Sequence, residues 1–301
     1  MSFGQRLELS VKNRSKQVRC GLLMSLFLLC PCVNAQSHTL PGSSAAPSPA
    51  VESQDKSGTN PLVLRYTVQI FNEYYNLPGE GLWNNITKFR FIIPFAKKRA
   101  SVKVDLPINS TNTSIGFLTG GTEGPLGVSP IGVVPGDTKT GFGDLNLKFT
   151  YVPYFNRKLK LGLVSSVEFN FDTSKPVLGS GKNTIAPTLV LVTFPAKNTI
   201  FAPTYKQTNS YSGNENRGNI NQGAFDFYFV RMFAKGRRFI NVDPQLILNY
   251  ETGKAASAVE TTFGFVVSQK QGITYYATPG FPIGGNRPYD FTFKSGIKKI
   301  W

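Results

Sequence analysis

From residue 62 to its end, the chain is built of segments in which apolar and polar side chains alternate. In DLNLKFTYV, for example, Leu147 and Phe149 alternate with Asn146 and Lys148. Because successive side chains of a β-strand point to opposite faces, this pattern predicts a strand with one apolar and one polar face. A short basic turn and a second alternating segment follow, so the pair predicts a β-hairpin.

Twelve segments of this kind are predicted to be strands. Most span about ten residues or more, which is longer than the five or six usual in soluble sheets and enough to cross a bilayer at a tilt. After the N-terminal region no apolar run reaches the roughly 20 residues of a membrane helix, so a membrane-spanning structure here must be a barrel. The predicted strands are residues 62–73, 86–96, 100–109, 141–154, 159–172, 184–195, 198–209, 222–234, 238–251, 258–268, 272–279 and 288–301.

The connections between the predicted strands alternate in length and composition. Connections after even-numbered strands are short and basic, whereas those after odd-numbered strands are mostly long and rich in Gly, Asn, Ser and Thr, the longest running from Ser110 to Thr140. Outer-membrane barrels have short periplasmic turns and longer external loops. We therefore predict an all-β fold, a 12-stranded antiparallel transmembrane outer-membrane β-barrel, over residues 61–301.

A soluble secreted β-sandwich that acts as a binding module is the alternative from another fold class. Its strands would also carry one apolar and one polar face, so the alternation alone does not separate the two folds. Two further features favour the barrel. Acidic residues recur in mid-strand, which suits a hydrated lumen, and aromatic residues recur beside the short turns, as an interfacial girdle requires. These aromatic residues are Phe95, Phe155, Phe194, Phe233 and Phe239.

The first 35 residues are organised like an export signal. Basic residues precede the apolar run GLLMSLFLLCPCV, and Val33-Asn34-Ala35 supplies small residues for cleavage after Ala35. The run is shorter than the roughly 18 residues of a membrane helix, which disfavours the alternative of a membrane anchor. Residues 36–60 are rich in Ser, Pro and Ala and are predicted to be a disordered leader. The predicted location is the outer membrane of a Gram-negative bacterium.

The formal net charge of +16 raises the question of a nucleic-acid partner. The basic residues are spread over several short turns, and no recognition motif gathers them into one stripe with exposed aromatic side chains. The predicted partners are therefore outer-membrane lipid and a small-molecule solute, with no nucleic acid.

The distribution of reactive side chains disfavours an enzyme. The three cysteines all lie in the predicted signal peptide, and the one histidine, His38, lies in the predicted leader. The predicted barrel therefore lacks the residues of a Ser-His-Asp triad, a Cys-His pair or a Cys-ligated metal site. Glu168 and Asp172 are interpreted as solvated lumen residues and not as an acid/base pair. We predict no enzymatic activity, no cofactor and no metal.

The polar faces of the strands are predicted to line the lumen. Cations and carboxylates occur on these faces in nearly equal numbers, so the expected preference for anions is weak. Prolines within the strands, such as Pro153 and Pro244, remove a backbone donor and are predicted to mark bulges. The residues predicted to line the lumen are Arg65, Lys88, Arg90, Lys103, Asp105, Asp144, Lys148, Lys160, Glu168, Asp172, Asp226, Asp243 and Glu260, together with Lys206, Lys294 and Lys298.

The chain ends in a predicted strand with an aromatic last residue. Ile297 and Trp301 share one face of this strand, and Gly296 lies on the other. This pattern resembles the C-terminal signal strand that barrel-assembly machinery recognises in outer-membrane proteins, which makes that machinery a predicted partner. The alternative is that Trp301 only anchors the barrel at the interface, where tryptophan is common.

The central part of the sequence resembles a known family. GFGDLNLKFTYVP, followed by a short turn, an apolar strand and FDTSKPVLGSGKNTIAPTLVLV, is similar to the pattern of the phenol-degradation meta-pathway transporter-like family of outer-membrane β-barrels. Asp172-Thr173-Ser174 stands where members of that family commonly carry Pro-Thr-Gly. The resemblance implies a channel or transporter for small, often hydrophobic or aromatic molecules.

These observations together predict a porin-like channel for the passive uptake of small, hydrophobic or aromatic molecules. Twelve strands enclose a narrower lumen than the 16 to 18 strands of wide aqueous porins, which favours small solutes. A closed barrel with a structural or adhesive role is the second alternative, and conductance in a bilayer separates it from a channel.

Overall fold

The computed structural model describes residues 57–113, 135–284, 287 and 289–301, and these residues form an antiparallel β-structure. The predicted signal peptide, and the predicted leader up to residue 56, lie outside this part of the chain. Among the described residues no helix is long and apolar enough to cross a membrane. The thirteen strands of the described residues are β1 (Thr67–Asn76), β2 (Trp83–Phe95), β3 (Ala100–Thr113), β4 (Pro135–Phe142), β5 (Leu145–Asn156), β6 (Leu161–Phe171), β7 (Lys182–Thr193), β8 (Thr199–Gly213), β9 (Asn221–Phe233), β10 (Arg238–Asn249), β11 (Lys254–Ser268), β12 (Ile273–Ile283) and β13 (Phe291–Ile300).

These strands form one sheet that closes on itself as a barrel. The first strand, β1, pairs antiparallel with β2 on one side and with the last strand, β13, on the other. Strand β3 pairs with β5 along residues 100–105 and with β4 along residues 108–113. β4 and β5 therefore together occupy one strand position of the barrel, and the described strands make the predicted 12-stranded antiparallel barrel.

The twelve predicted strands all correspond to strands of the structure, with ends that differ by a few residues. The first strand begins at Thr67 and not at residue 62, because the residues before it turn into the barrel. Strand β4 lies in the predicted long loop 110–140 and was not predicted, since its sequence PGDTKTGF has no apolar alternation. Residues 114–134 of that loop lie outside the described residues.

The apolar faces of the strands point outwards. On β9, Phe225, Phe227 and Phe229 are exposed, whereas the residues between them face the lumen. A soluble monomer rarely exposes an apolar surface of this extent, while a membrane barrel buries it in lipid. Other large apolar side chains exposed on the barrel include Val68, Ile70, Phe89, Phe91, Ile93, Leu106, Phe149, Leu189, Leu191, Phe263, Phe265, Phe281, Phe293 and Ile297.

The short connections lie together at one end of the barrel, here called the short-turn end, and the opposite end is called the long-loop end. Two of the short turns have the same backbone conformation. Ala96 and Lys97 have φ of 48° and 54°, and Ala234 and Lys235 have φ of 48° and 56°. The similar sequences FAKKR and FAKGR therefore produce the same tight reversal between adjacent strands.

The strand prolines interrupt the ladder in two ways. At Pro153 the pairing of β5 with β6 shifts by one residue, which is the predicted bulge. At Pro187, Pro203 and Pro244 the pairing is interrupted on one side and continues in the same register beyond the proline. For these three positions the prediction of a bulge was wrong, because loss of one N–H removes a bond without inserting a residue.

Candidate functional site: the charged lumen

The lumen contains a cavity of about 330 Å³, within the size range of small-molecule sites. At mid-height its wall carries charged side chains from most of the strands, here called the charged belt. Six members are cations and six are carboxylates, so the belt of the described residues has no formal net charge. The charged belt consists of Glu73, Lys88, Arg90, Lys103, Asp105, Lys148, Glu168, Lys206, Asp226, Asp243, Glu260 and Lys294.

Glu73 on β1 is the centre of one half of the belt and was not among the predicted lumen residues. Its side chain is 2% exposed. It accepts a hydrogen bond from Lys88 Nζ at 2.7 Å and lies 3.4 Å from Lys294 Nζ. The hydroxyl of Tyr75, two residues along the same face, donates to it at 3.2 Å. The alternation of Gln69, Phe71 and Glu73 on one face was the signal that could have placed it in the lumen.

A second group of ion pairs joins β2, β3, β6 and β8. Arg90 donates from Nε to Asp105 Oδ1 at 2.7 Å and from its Nη2 to Oδ2 at 2.9 Å, a bidentate pair. Lys103 Nζ lies 3.4 Å from Asp105 and 3.7 Å from Glu168. Lys206 Nζ donates to Glu168 at 3.2 Å. Arg90, Lys103, Asp105 and Glu168, all predicted from the sequence, are thereby brought into one network.

These two groups form what we call the paired wall of the lumen. Each of its carboxylates, Glu73, Asp105 and Glu168, has a cation within 3.2 Å or less. Removing one partner of such a buried pair leaves an uncompensated charge, which costs about 3–5 kcal/mol. The paired wall therefore couples the strands that it joins.

The wall formed by β9 and β10 differs, and we call it the open wall. It carries Asp226 and Asp243, which have no cation within the 4.0 Å ion-pair distance among the described residues. Glu260 on the next strand, opposite Asp243, lies 3.7 Å from Lys294 Nζ and so borders both walls. The three predicted carboxylates are thus neighbours on consecutive strands.

At the short-turn end the lumen is filled by the chain segment 57–66. Leu62 is buried in an apolar cluster with Val164, Ile200 and Phe239, here called the lower cluster. A Cβ on Gly162 would lie 2.5 Å from the Leu62 side chain, so only glycine allows this approach. Ser57, Thr59 and Asn60, in the last part of the predicted leader, are at most 7% exposed and belong to the same packing.

At the long-loop end a second apolar cluster, here called the upper cluster, lies above part of the belt. It contains Tyr75, Ile86, Ala224 and Ile247 among its buried members. The rings of Tyr75 and Tyr289 are tilted against each other at 6.1 Å. The lumen is therefore layered, with charges in the middle and apolar side chains towards both ends.

Asp144, a predicted lumen residue, holds a loop at the long-loop end. Its buried carboxylate accepts hydrogen bonds from the backbone N–H and the hydroxyl of Ser180 at 2.8 and 3.0 Å, and from the N–H of Ser174 at 3.3 Å. The neighbouring Asp172 is partly exposed, and its burial and the charge of Asp144 raise its pKa above the ordinary value. The sequence GFGD and the DTS loop are thus in contact through this aspartate.

Lys148, Arg65 and Lys160, which were also predicted to line the lumen, lie in three different places. Lys148 is half-buried and lines the cavity, whereas Arg65 lies before β1 in the segment that enters the lumen. Lys160 is exposed in the turn between β5 and β6, with φ of 51°. Its placement in the lumen was wrong because the strand begins one residue later, at Leu161.

The five residues of the predicted aromatic girdle differ in their exposure in the structure. Phe95 and Phe233 are exposed on the outer surface at the short-turn end. Phe155 and Phe194 are half-buried and meet edge to face at 6.4 Å. Phe239 is 4% exposed and belongs to the lower cluster, so its assignment to the outer girdle was wrong. It lies on the inward face of β10, one residue after the turn.

The C-terminal strand β13 closes the barrel. Ile297 and Trp301 point outwards and are 45% and 55% exposed. Gly296 faces inwards, where a Cβ would lie 2.4 Å from Phe71 Cβ. The N–H of Trp301 donates to Tyr66 O at 3.0 Å. Lys299, on the outer face, lies with its Nζ 4.7 Å from the centre of the Trp301 ring, a contact that keeps the charge at the barrel end.

Comparison with known proteins places the fold. No family model and no curated protein matches this sequence. An outer-membrane channel from Pseudomonas putida F1 is similar in structure, with a TM-score of 0.58 and 9% identity over 81% of this chain and 98% of that chain. The NanC porin gives a TM-score of 0.47 and 10% identity over 78% of this chain and 98% of its own. The fold of the described residues is that of an outer-membrane β-barrel.

Proposed function

We propose that this protein is an outer-membrane channel for the passive uptake of small molecules, and not an enzyme. One observation carries the proposal: a closed barrel that is apolar outside encloses a cavity lined by charged side chains. Buried charges are costly in a fold that needs only a stable core, whereas a path for polar groups across a membrane requires them. The similar structure from Pseudomonas putida F1 bears the name of an outer-membrane channel, which agrees with this proposal.

The solutes that we propose are small and have an apolar or aromatic part. The cavity of about 330 Å³ excludes large oligomers. The upper and lower clusters place apolar and aromatic side chains towards both ends of the lumen. The resemblance of residues 139–195 to the phenol-degradation meta-pathway transporter-like family supports the same class of solute.

Export and assembly form part of the proposal. Residues 1–35 serve as a cleaved signal peptide, and the barrel-assembly machinery recognises β13 through its outward residues Ile297 and Trp301. Both side chains are exposed to the surroundings of the barrel, as a recognised signal requires. Deletion of Trp301 is expected to lower severely the fraction of protein that migrates as a heat-modifiable band. Normal assembly of the truncated chain would assign Trp301 to interfacial anchoring instead.

Conductance of the full-length protein in a planar bilayer tests the channel directly. We expect discrete current steps, and we expect Lys148→Glu to shift the reversal potential in a salt gradient towards cation selectivity, because Lys148 lines the cavity. Lys158→Glu, in an exposed short turn, is the matched control with the same charge change and no expected shift. Equal shifts in both variants would contradict passage through this lumen.

The second candidate is a closed structural barrel, and the segment 57–66 favours it, since this segment fills the short-turn end of the lumen. Liposome swelling in a series of small solutes distinguishes the two. A channel admits solutes up to a size limit. A variant from which residues 57–64 are deleted should admit the same solutes faster. Swelling that is absent with the full-length chain, while its band remains heat-modifiable, would favour the closed barrel.

A further inference from the structure

In the part of the chain that the structure describes, the open wall contains a set of buried oxygen atoms that have no hydrogen-bond donor. Among the described residues, one oxygen of each of Asp226, Asp243, Asn241 and Gln245 has no partner, although all four residues border the cavity. Asn241 and Gln245 are 7% and 3% exposed. The amide group of Gln245 donates to Asp243 Oδ2 at 2.9 Å, which fixes the two side chains beside each other. Gln245 also stands opposite Asp226 in the pairing of β9 with β10.

Uncompensated carboxylate oxygens in such a place are unfavourable. Desolvation of a charged group without a partner costs several kcal/mol, and native proteins pair nearly all buried polar atoms. The paired wall of the same lumen shows the usual solution, with lysine or arginine on the adjacent strand or, for Glu168, two strands away. Lys148 and Lys206 act on Asp226 electrostatically, and Lys294 acts on Asp243. Lys206 pairs with Glu168, and Lys294 lies near Glu73 and Glu260. A hydrogen-bond donor that enters from the lumen would satisfy these oxygens, and a positively charged donor would also compensate the two carboxylates.

The geometry points to the ammonium group of a small amine, and we propose that Asp226, Asp243, Asn241 and Gln245 form a subsite for it. An ammonium group has three donors and no acceptor, so it can satisfy up to three of the four oxygens. No three acidic, cysteine or histidine side chains of the described residues are close enough together to hold a metal ion. Calcium ions also take carboxylate and amide oxygens as ligands, so Ca²⁺ is the competing ligand that the binding test includes.

The surroundings of the subsite indicate what the amine carries. Ala224, Ile247 and Ala258 lie next to Asp226, Gln245 and Glu260 on the inward faces of β9, β10 and β11. All three belong to the upper cluster, so an apolar surface adjoins the oxygen atoms on the long-loop side. A primary amine with an apolar or aromatic body fits both parts. The inference rests on the proposed channel function and names its substrate class.

Binding to the full-length, detergent-solubilised protein tests the subsite without any transport measurement. The probes are 2-phenylethylamine, the neutral 2-phenylethanol and the anionic 3-phenylpropanoate, titrated by calorimetry. We expect the amine to bind at least about tenfold more tightly than either of the other two, which corresponds to about 1.4 kcal/mol. Equal binding of the three probes would overturn the proposal, as would tighter binding of Ca²⁺ than of the amine.

The double variant Asp226→Asn and Asp243→Asn locates the binding. We expect it to lower the affinity for 2-phenylethylamine by about tenfold or more and to leave the affinity for 2-phenylethanol unchanged. Glu80→Gln, which removes an exposed carboxylate outside the lumen, is the control and retains full binding. A heat-modifiable band shows that each variant is folded. Unchanged amine binding in the folded double variant would overturn the proposal.

Conductance separates this proposal from the channel function. Amine binding in a protein that shows no conductance contradicts the channel and leaves the subsite in place. Conductance without selective amine binding contradicts the subsite and leaves the channel in place.

Discussion

The paired wall and the open wall of the lumen use the same residue types in opposite ways. On the paired wall Glu73, Asp105 and Glu168 each have a cation within 3.2 Å or less. On the open wall Asp226 and Asp243 have none within 4.0 Å among the described residues. The first arrangement satisfies its charges inside the chain, while the second leaves them available to the lumen.

The difference separates stability from function along one belt of side chains. Removing one partner of a buried ion pair lowers the stability of the barrel, because the other charge remains desolvated. Carboxylates without a cationic partner lower the stability of the empty barrel, and a stability cost of this kind is common at functional sites. Substitutions in the paired wall should therefore lower the free energy of unfolding, whereas substitutions in the open wall should raise it or leave it unchanged.

Glu73→Gln is expected to have the largest effect. The substitution removes the carboxylate that pairs with both Lys88 and Lys294, and leaves two buried ammonium groups with one fewer partner. The free energy of unfolding in lipid vesicles should fall by about 3–5 kcal/mol. Urea titration followed by gel migration measures this change. A loss no larger than that of the exposed Glu80→Gln would show that the paired wall does not stabilise the barrel.

Lys206→Met should have an intermediate effect. Glu168 loses its partner at 3.2 Å and keeps Lys103 at 3.7 Å, so its charge is only partly uncompensated. We expect a loss of about 1–3 kcal/mol in the same urea titration. The double variant Lys206→Met and Glu168→Gln should recover part of this loss, since no carboxylate then remains to be compensated. A further loss in the double variant would contradict that reasoning.

Asp243→Asn on the open wall should stabilise the empty barrel or leave its stability unchanged. The amide removes a charge that has no cation nearby and can still accept the hydrogen bond from Gln245. The same variant should shift the reversal potential in a salt gradient towards anion selectivity, because a carboxylate leaves the lumen wall. Destabilisation comparable to that of Glu73→Gln would remove the distinction between the two walls.

Lys160→Gln should have the smallest effect and sets the baseline for the comparison. The side chain is exposed in a short turn outside the lumen. Stability should change by less than about 0.5 kcal/mol, and the reversal potential should stay the same. A shift in selectivity as large as that of Asp243→Asn would return Lys160 to the lumen wall, where the sequence pattern had predicted it.

The lumen positions predicted within regular strands share a physical reason for their assignment. Alternation assigns each residue of a regular strand to one of two faces, so Lys88, Arg90, Lys103 and Asp105 were placed on the polar face without any knowledge of the fold. The prediction failed where a strand begins or ends, as at Lys160. It also failed next to a turn, as at Phe239, since an aromatic residue near a turn fits the outer girdle and the lower cluster equally well.

The candidate site could be predicted only as a set of charges. The sequence supplied nearly balanced numbers of cations and carboxylates on the inward faces, which is consistent with either complete pairing or none. Which charges meet depends on the register of adjacent strands, such as Arg90 opposite Asp105 and Asp243 opposite Glu260. Gln245, which borders the open wall, carries no signal of its own in the sequence.

The sequence by itself determined the strands, their two faces and the length needed to cross a bilayer, because these follow from a period of two residues and from composition. The tertiary structure decided that segment 57–66 enters the lumen, that β4 continues the strand position of β5 beside β3, and that the carboxylates divide into a paired and an open wall. Those outcomes depend on the closure of the barrel, which brings β1 beside β13 and sets residues distant in the chain side by side. No local pattern encodes such a neighbourhood.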